Sequence, residues 1–285
     1  MKKLYKYRRF GVHSLKELCD SEVYYADPNS FNDPLDCSPE LINDIELDEL
    51  ENLFLTVMNR YHKKSGEKQL RNCQYLSTEY GDYKTNTGIK KHYMNSLIRK
   101  IKNGLDSEMK NRGVLSLASK WNCPLMWSHY ADEHKGICIE YDISRAVCDV
   151  PTKIDYNGGR GIPLSSIVDW IFNDSIEAKE AIERKYFYTK AGQWKYEKEW
   201  RYLSGSHGAR SAPFPISGIY FGMRCENSIV SSIVKLLDGH KSDINFYQVR
   251  PKVDSFILNK HEVDVGELVA CTPRMSAALA FGDLT

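Results

Sequence analysis

Apolar positions along this chain change period, and the changes divide it into elements. Leu47, Leu50, Phe54, Val57 and Tyr61 recur at helical spacing, and so do Tyr93, Leu97, Ile98, Ile101 and Leu105. Two amphipathic helices are therefore expected within residues 41–112, with the polar stretch 62–90 between them as a loop or insertion. Short strand-like runs occur at 22–26, 113–119, 136–142, 199–203, 218–222, 245–250 and 255–258. Pro124 opens a short helix within 122–131. A longer helix is expected from 167 to 184. Asn227 is placed to cap another, with Ile229, Val230, Ile233, Val234 and Leu237 on its buried face. Residues 1–40 read as a strand or helix start, an extended piece and a turn-rich loop at 27–36, where two prolines sit among Asx residues. No internal repeat and no linker interrupts this order. The expectation is one α+β domain over 1–285, carrying 41–112 as a helical insertion.

Composition narrows the class. The 285 residues include 42% apolar side chains, enough for a sizeable core. Thirty-nine basic residues against 38 acidic ones give a net charge of +1, so the whole molecule has no long-range pull toward nucleic acid. Local basic clusters lie at 2–9 and 90–102, where a solvated face is the plain alternative. No apolar run is long enough to span a bilayer. The eight cysteines include no C-x-x-C pair and read as reduced thiols, so a cytoplasmic chain without a membrane partner is expected.

Four segments carry candidate chemistry. In 196–202, Glu197 and Glu199 would share one face of a strand, and two like charges so close need a cation or a ligand to answer them. An exposed strand end with alternating charge would give the same pattern. In 4–9, Arg8 offers a planar fork for phosphate, and Tyr7 offers a ring beside it. Asn32 and Asp33 lie in the Asx-rich loop 31–36, which is also a plain structural turn. Trp127 and Tyr130, three apart on the short helix, could cover a flat ring or simply fill a core. His129 and His134, near Cys123 and Cys138, have poor zinc spacing, and no metal site is expected there. Phosphate-loop, dinucleotide and nucleophile-elbow motifs are absent.

Taken together, these segments resemble a bacterial family of domains of unassigned activity. The shared motifs are Tyr-Lys-Tyr-Arg (5–8), Phe-Asn-Asp-Pro-x-Asp (31–36), Met-Trp-x-His-Tyr-Ala (126–131) with Gly-x-Cys-Ile-Glu-Tyr-Asp (136–142), and Tyr-Glu-x-Glu-Trp-Arg (196–201). The order of parts is also similar to that of ADP-ribosyltransferases. That fold sets an Arg or His on its first core strand, follows a middle strand with a short helix bearing aromatic or hydroxyl residues, and begins a late strand with glutamate. Arg8, the unit from Ser116 to Tyr130, and Glu199 hold those places in order. The chain departs from the pattern in lacking a Ser-Thr-Ser triplet and a central tyrosine in 113–119.

This resemblance implies a mixed, mostly antiparallel split sheet with helical insertions. It also implies ADP-ribosyl transfer from NAD, with Glu199 stabilising the ribose cation and Glu197 orienting the acceptor or acting as base. Tyr7, Arg8, Asn32, Asp33, Ser116, Trp127 and Tyr130 would surround the dinucleotide. The basic segments 2–9 and 90–102, interleaved with tyrosines, slightly favour nucleic acid over protein as the acceptor. A toxin or phage-defence effector restrained by an antitoxin or other regulatory protein is the implied setting. Two readings from other classes stand beside it. One is a metal-dependent hydrolase or nuclease using Asp33, Asp36, Glu197 and Glu199; the other is a non-catalytic nucleotide-binding module.

Overall fold

The computed structural model describes residues 2–61, 65–78, 81–146, 149–237, 244–271, 273–276 and 279–280. Its strands are β1 (Lys3–Arg8), β2 (Glu22–Tyr25), β3 (Glu40–Ile42), β4 (Gly113–Ala118), β5 (Ile137–Asp142), β6 (Thr152–Lys153), β7 (Gly161–Pro163), β8 (Glu199–Ser204), β9 (Gly208–Ser211), β10 (Ile216–Phe221), β11 (Asn245–Pro251) and β12 (Leu258–Glu262). Its helices are α1 (Val12–Cys19), α2 (Leu47–Tyr61), α3 (Gly66–Thr78), α4 (Thr87–Met109), α5 (Pro124–Tyr130), α6 (Leu164–Phe172), α7 (Ile176–Phe187), α8 (Asn227–Leu237) and α9 (Val265–Ala270).

Eight strands form one open sheet in the order β12-β11-β10-β5-β1-β4-β8-β6. Every pairing in it is antiparallel except β10 with β11. The pairing is uneven. β1 matches β5 over six residues and β4 matches β8 over six, but β1 and β4 meet only at Tyr5 and Ala118. The sheet is thus connected rather than divided in two, with a weak seam in its middle. The expected class, α+β with a large and mostly antiparallel sheet, holds at this level.

Apolar residues on alternate sides of the strands supply separate cores. On one face, Leu115, Leu117, Ile139, Ile219 and Phe221 pack with Leu18 of α1 and Val230, Ile233 and Val234 of α8. On the other, α2, α4, α6 and α7 build the largest cluster around Phe54, Tyr93, Leu97, Tyr186 and Phe187. A smaller cluster seats α5 through Met126 and Trp127 against Tyr7, Cys138 and Tyr220.

Several elements differ from the expectation for local reasons. Residues 66–78, within the expected loop 62–90, are helical: Leu70, Cys73 and Ser77 recur at helical spacing and reach the large cluster or are buried. Residues 62–64 and 79–80 of that stretch lie outside the described ones. The helix expected over 167–184 is two helices, because Asp174 adopts a left-handed φ of 50° and the Ser175 side chain caps α7 through the Ala178 N–H. The chain turns at 252–257 instead of extending through 255–258, and β12 begins only at Leu258. β3 pairs in parallel with β7, and Asp44 accepts hydrogen bonds from the Ser165 N–H and hydroxyl, so the segment 41–112 is stitched to α6 and shares its core.

Candidate functional site

The weak seam is where chemistry collects. A cavity of about 230 Å³ opens there, lined on one side by Tyr5, Lys6, Tyr7 and Arg8 of β1. Alternate strand residues point to opposite faces, so four consecutive residues can line one cavity only if it runs along the strand's open edge. Ser116 and Ala118 of β4, Tyr130 of α5, Asn32 and Asp36 of the 31–36 loop, and Lys190, Glu197, Glu199 and Arg201 complete it. Across the seam the Lys6 ammonium donates to the Ser116 carbonyl at 2.9 Å, where a continuous ladder would bring a strand partner.

Glu197 and Glu199 do come together, but not by strand alternation. Residues 192–197 form a 3₁₀ turn, Lys198 takes a left-handed φ of 47°, and β8 starts at Glu199. A left-handed conformation costs an L-residue roughly 1–2 kcal/mol. What unites the carboxylates is a shared cation. Lys190 lies 2.6 Å from Glu197, 3.1 Å from Glu199 and 3.4 Å from Asp36. Arg201 donates through Nε to Glu199 at 2.7 Å and through Nη2 to Asp36 at 2.7 Å, and its Nη1 bonds the Phe187 carbonyl at 2.9 Å. All five groups are buried or nearly so. Three carboxylates thus share two cations.

This arrangement drives the two glutamates apart in acidity. Burial is the largest influence on Glu199 and would raise it, but Arg201 and Lys190, with hydrogen bonds from Arg201 and Ser116, hold it well below the ordinary carboxylate range. For Glu197, burial and the neighbouring Glu199 charge outweigh Lys190, and its pKa is raised. The Tyr130 hydroxyl donates to Glu197 at 2.7 Å, and burial followed by the Glu197 charge raises that phenol as well. Burial, then Arg8, pushes the Lys6 ammonium down to about 7.

Arg8 is oriented from behind. Its Nε donates to Glu17 at 2.7 Å, and buried Glu17 also accepts from the Tyr141 hydroxyl. Neither Nη nitrogen of Arg8 has a hydrogen-bond partner within the described residues. Tyr7 is packed beneath the cavity, its hydroxyl donating to the Lys120 carbonyl.

Two of the sequence-derived candidates lie outside the cavity lining. Trp127 does not wall the cavity. It is fully buried on the inner side of α5, donates from Nε1 to the Trp121 carbonyl at 2.7 Å and meets Tyr7 edge to face at 5.2 Å. Its bulk makes it a core residue, and Tyr130 alone of that pair reaches the cavity. Asp33 also lies outside the lining. Its carboxylate accepts from the Leu35 N–H at 2.9 Å and from Trp194 Nε1 at 2.7 Å, pinning the loop to the 3₁₀ turn. Asp36 takes the place in the cavity instead.

Lys6 and Lys190 were not singled out from sequence. Lys190 stands in no motif. The signal for it is that a buried carboxylate pair requires a cation, but sequence spacing does not say which one. Lys190 lies among the three carboxylates, and among the described residues no group of three or more His, Cys, Asp or Glu is arranged to hold a metal ion. The seven described cysteines are free thiols, and Cys148 lies outside the described residues. No described helix is long and apolar enough to cross a membrane. Comparison of the chain with protein-family models, with curated proteins and with solved structures finds no match to any of them.

Proposed function

We propose that this chain transfers ADP-ribose from NAD to a macromolecular acceptor. The observation that carries the reading is that Arg8, Ser116 and Glu199 stand on three neighbouring strands, β1, β4 and β8, and open on one cavity. In the reaction the bond between ribose C1′ and the nicotinamide nitrogen breaks. Its electron pair leaves with nicotinamide as a neutral molecule, and the ribose becomes an oxocarbenium-like cation. An acceptor nucleophile then bonds to C1′ and gives up its proton.

The two carboxylates divide this work by acidity. Glu199 stays ionised and offers fixed negative charge to the developing cation. Glu197, with its raised pKa, is the better proton acceptor for the incoming nucleophile. Arg8, held through Nε by Glu17, has both Nη nitrogens to offer a phosphate. The cavity, about 230 Å³, is smaller than the roughly 300–1,000 Å³ of a site for a drug-sized ligand. It suits the nicotinamide and its ribose, with the phosphates lying out along β1 toward Arg8. An activity of this kind in a cell calls for restraint, so a toxin or phage-defence effector held by a regulatory partner is the setting we propose with it.

The test is to incubate the protein with labelled NAD and a cell lysate and to measure released nicotinamide and labelled macromolecule. Glu199→Gln should lower release by about 10²–10³-fold, with a melting curve confirming that the variant folds. Wild-type protein that releases no nicotinamide and labels nothing would overturn the reading.

A further inference from the structure

Charge is divided unevenly around the cavity. On the side of β8 and the turn before it, Asp36, Glu197 and Glu199 outnumber Lys190 and Arg201. On the side of β1 the excess is reversed. Lys6 and Arg8 both line the cavity there. Within the described residues no carboxylate that lines the cavity forms an ion pair with either. The acid bonded to Arg8 is Glu17, which reaches its Nε from α1 and lines none of the described cavities.

The transfer chemistry makes no use of Lys6. Its ammonium has three protons to donate and, among the described residues, one partner, the Ser116 carbonyl at 2.9 Å. It is half-buried without a counter-ion, and a second cation beside it adds to the cost of holding the charge. Lys6 and Arg8 are two apart on β1, so their side chains leave the strand on one side, with Cα atoms roughly 6.5 Å apart. The Nη nitrogens of Arg8 lie beyond the Nε bond to Glu17. An anion with several oxygens can bridge the two residues.

A ligand matched to this cavity carries positive charge at one end and negative charge at the other. NAD does: its nicotinamide ring is a pyridinium cation, and the diphosphate beyond the ribose is an anion. A nucleic-acid backbone supplies the anion but nothing for the acidic side. We propose that Lys6 and Arg8 together clamp the diphosphate of the dinucleotide, Lys6 as a point charge and Arg8 as a planar fork. The identity of this ligand rests on the reading above, whereas anion binding by the pair needs no transfer. Binding is also linked to a proton. Burial, then Arg8, sets the Lys6 ammonium at about 7, against the opposing charges of Glu17 from α1 and Glu199 from β8. Lys190, Arg201, Asp36 and Glu197 line the far side of the cavity. A diphosphate against Lys6 favours the charged form and raises its pKa. Binding therefore takes up a proton above about pH 7, and affinity is full below that pH and falls as pH rises through it.

The experiment is calorimetric titration with ADP-ribose, whose diphosphate is a diester that does not titrate near neutrality, and with adenosine, which lacks phosphate. ADP-ribose should bind, and adenosine should bind at least about 10-fold more weakly. Lys6→Met and Arg8→Met should each weaken ADP-ribose binding roughly 10- to 100-fold, the range for a hydrogen bond to a charged group, with melting curves confirming the fold. Wild-type affinity should fall by up to about tenfold per unit of pH above neutrality. Lys6→Arg should bind and lose that fall, because a guanidinium stays protonated. No binding of ADP-ribose, equal binding of adenosine, or wild-type affinity in Lys6→Met would each overturn the clamp. A wild-type affinity independent of pH would overturn the proton uptake. Nicotinamide release measured on the same preparation separates the two readings. Lys6-dependent binding of ADP-ribose without release defeats the NAD chemistry alone, and release with an unchanged KM for NAD in Lys6→Met defeats the clamp alone.

Discussion

Two clusters of buried acid sit on this sheet, and they are built to opposite ends. Glu140, on β5, is a lone carboxylate with every bond met. Oε1 accepts from Lys3 at 2.6 Å and from Ser217 at 2.8 Å, and Oε2 accepts from the Tyr220 hydroxyl at 2.8 Å. Burial is the largest influence and would raise it, but these donors, led by Lys3, hold its pKa low. It lines none of the described cavities. At the seam, Asp36, Glu197 and Glu199 divide two cations among three charges and face a cavity, and Asp36 Oδ1 has no hydrogen-bond partner. Burial and a depressed pKa are common to Glu140 and Glu199, so they do not distinguish a site. An excess of like charge beside space for a ligand does.

The sharpest way to break the comparison is to remove a cation from the crowded cluster. Arg201→Met leaves Asp36 and Glu199 buried without their principal partner. The expected cost is about 3–5 kcal/mol of stability, read as the shift in urea midpoint. A loss below 1 kcal/mol would mean that water reaches the carboxylates and that they do not depend on Arg201 for their charge balance. Glu140→Ala strands three donors of which Lys3 is solvent-exposed, so a smaller cost of about 1–3 kcal/mol is expected. Nicotinamide release should not change. A parallel loss of release would show that the two clusters are coupled.

Acidity gives the smallest and most diagnostic effects. Glu199 and Glu140 have folded pKa values below the ordinary 4.5, so the unfolded chain binds more protons and both contribute stability that is present above pH 4.5 and lost as pH falls through their folded values. Glu197 has the opposite sign. Its folded pKa lies above 4.5, so the folded chain holds the proton more firmly and this group's contribution falls as pH rises from 4.5 through the folded value. The acid limb of the transfer rate should therefore lie above pH 4.5 and move higher in Lys190→Met, since Lys190 is what holds Glu197 down. A limb that stays in place in Lys190→Met would remove Glu197 from the role of base.

The sequence by itself determined the elements and most of what they bury. Helical spacing in 47–61 and 93–105 and the proline opening α5 are local properties, set by side-chain periodicity and backbone geometry, and each appears as an element; 136–142 is a strand as well, but it is buried on both faces, so its alternation did not mark a solvent side. The motif glutamates and Arg8 line one cavity, a convergence that their local spacing did not require. Tertiary structure alone decided how they do so. Whether Glu197 and Glu199 share a face turned on Lys198, whose left-handed backbone is held by β8 on one side and by the Ser119 N–H bonding the Lys198 carbonyl on the other. That Lys190, seven residues upstream of Glu197, is their common counter-ion depended on the packing of α7 and the turn after it. Whether Trp127 or Tyr130 faced the cavity followed from the tilt of a seven-residue helix on the sheet. A sequence records which groups are able to pair. Which pairs form depends on distances between strands and helices brought together from 8 to 201, and no local spacing encodes those.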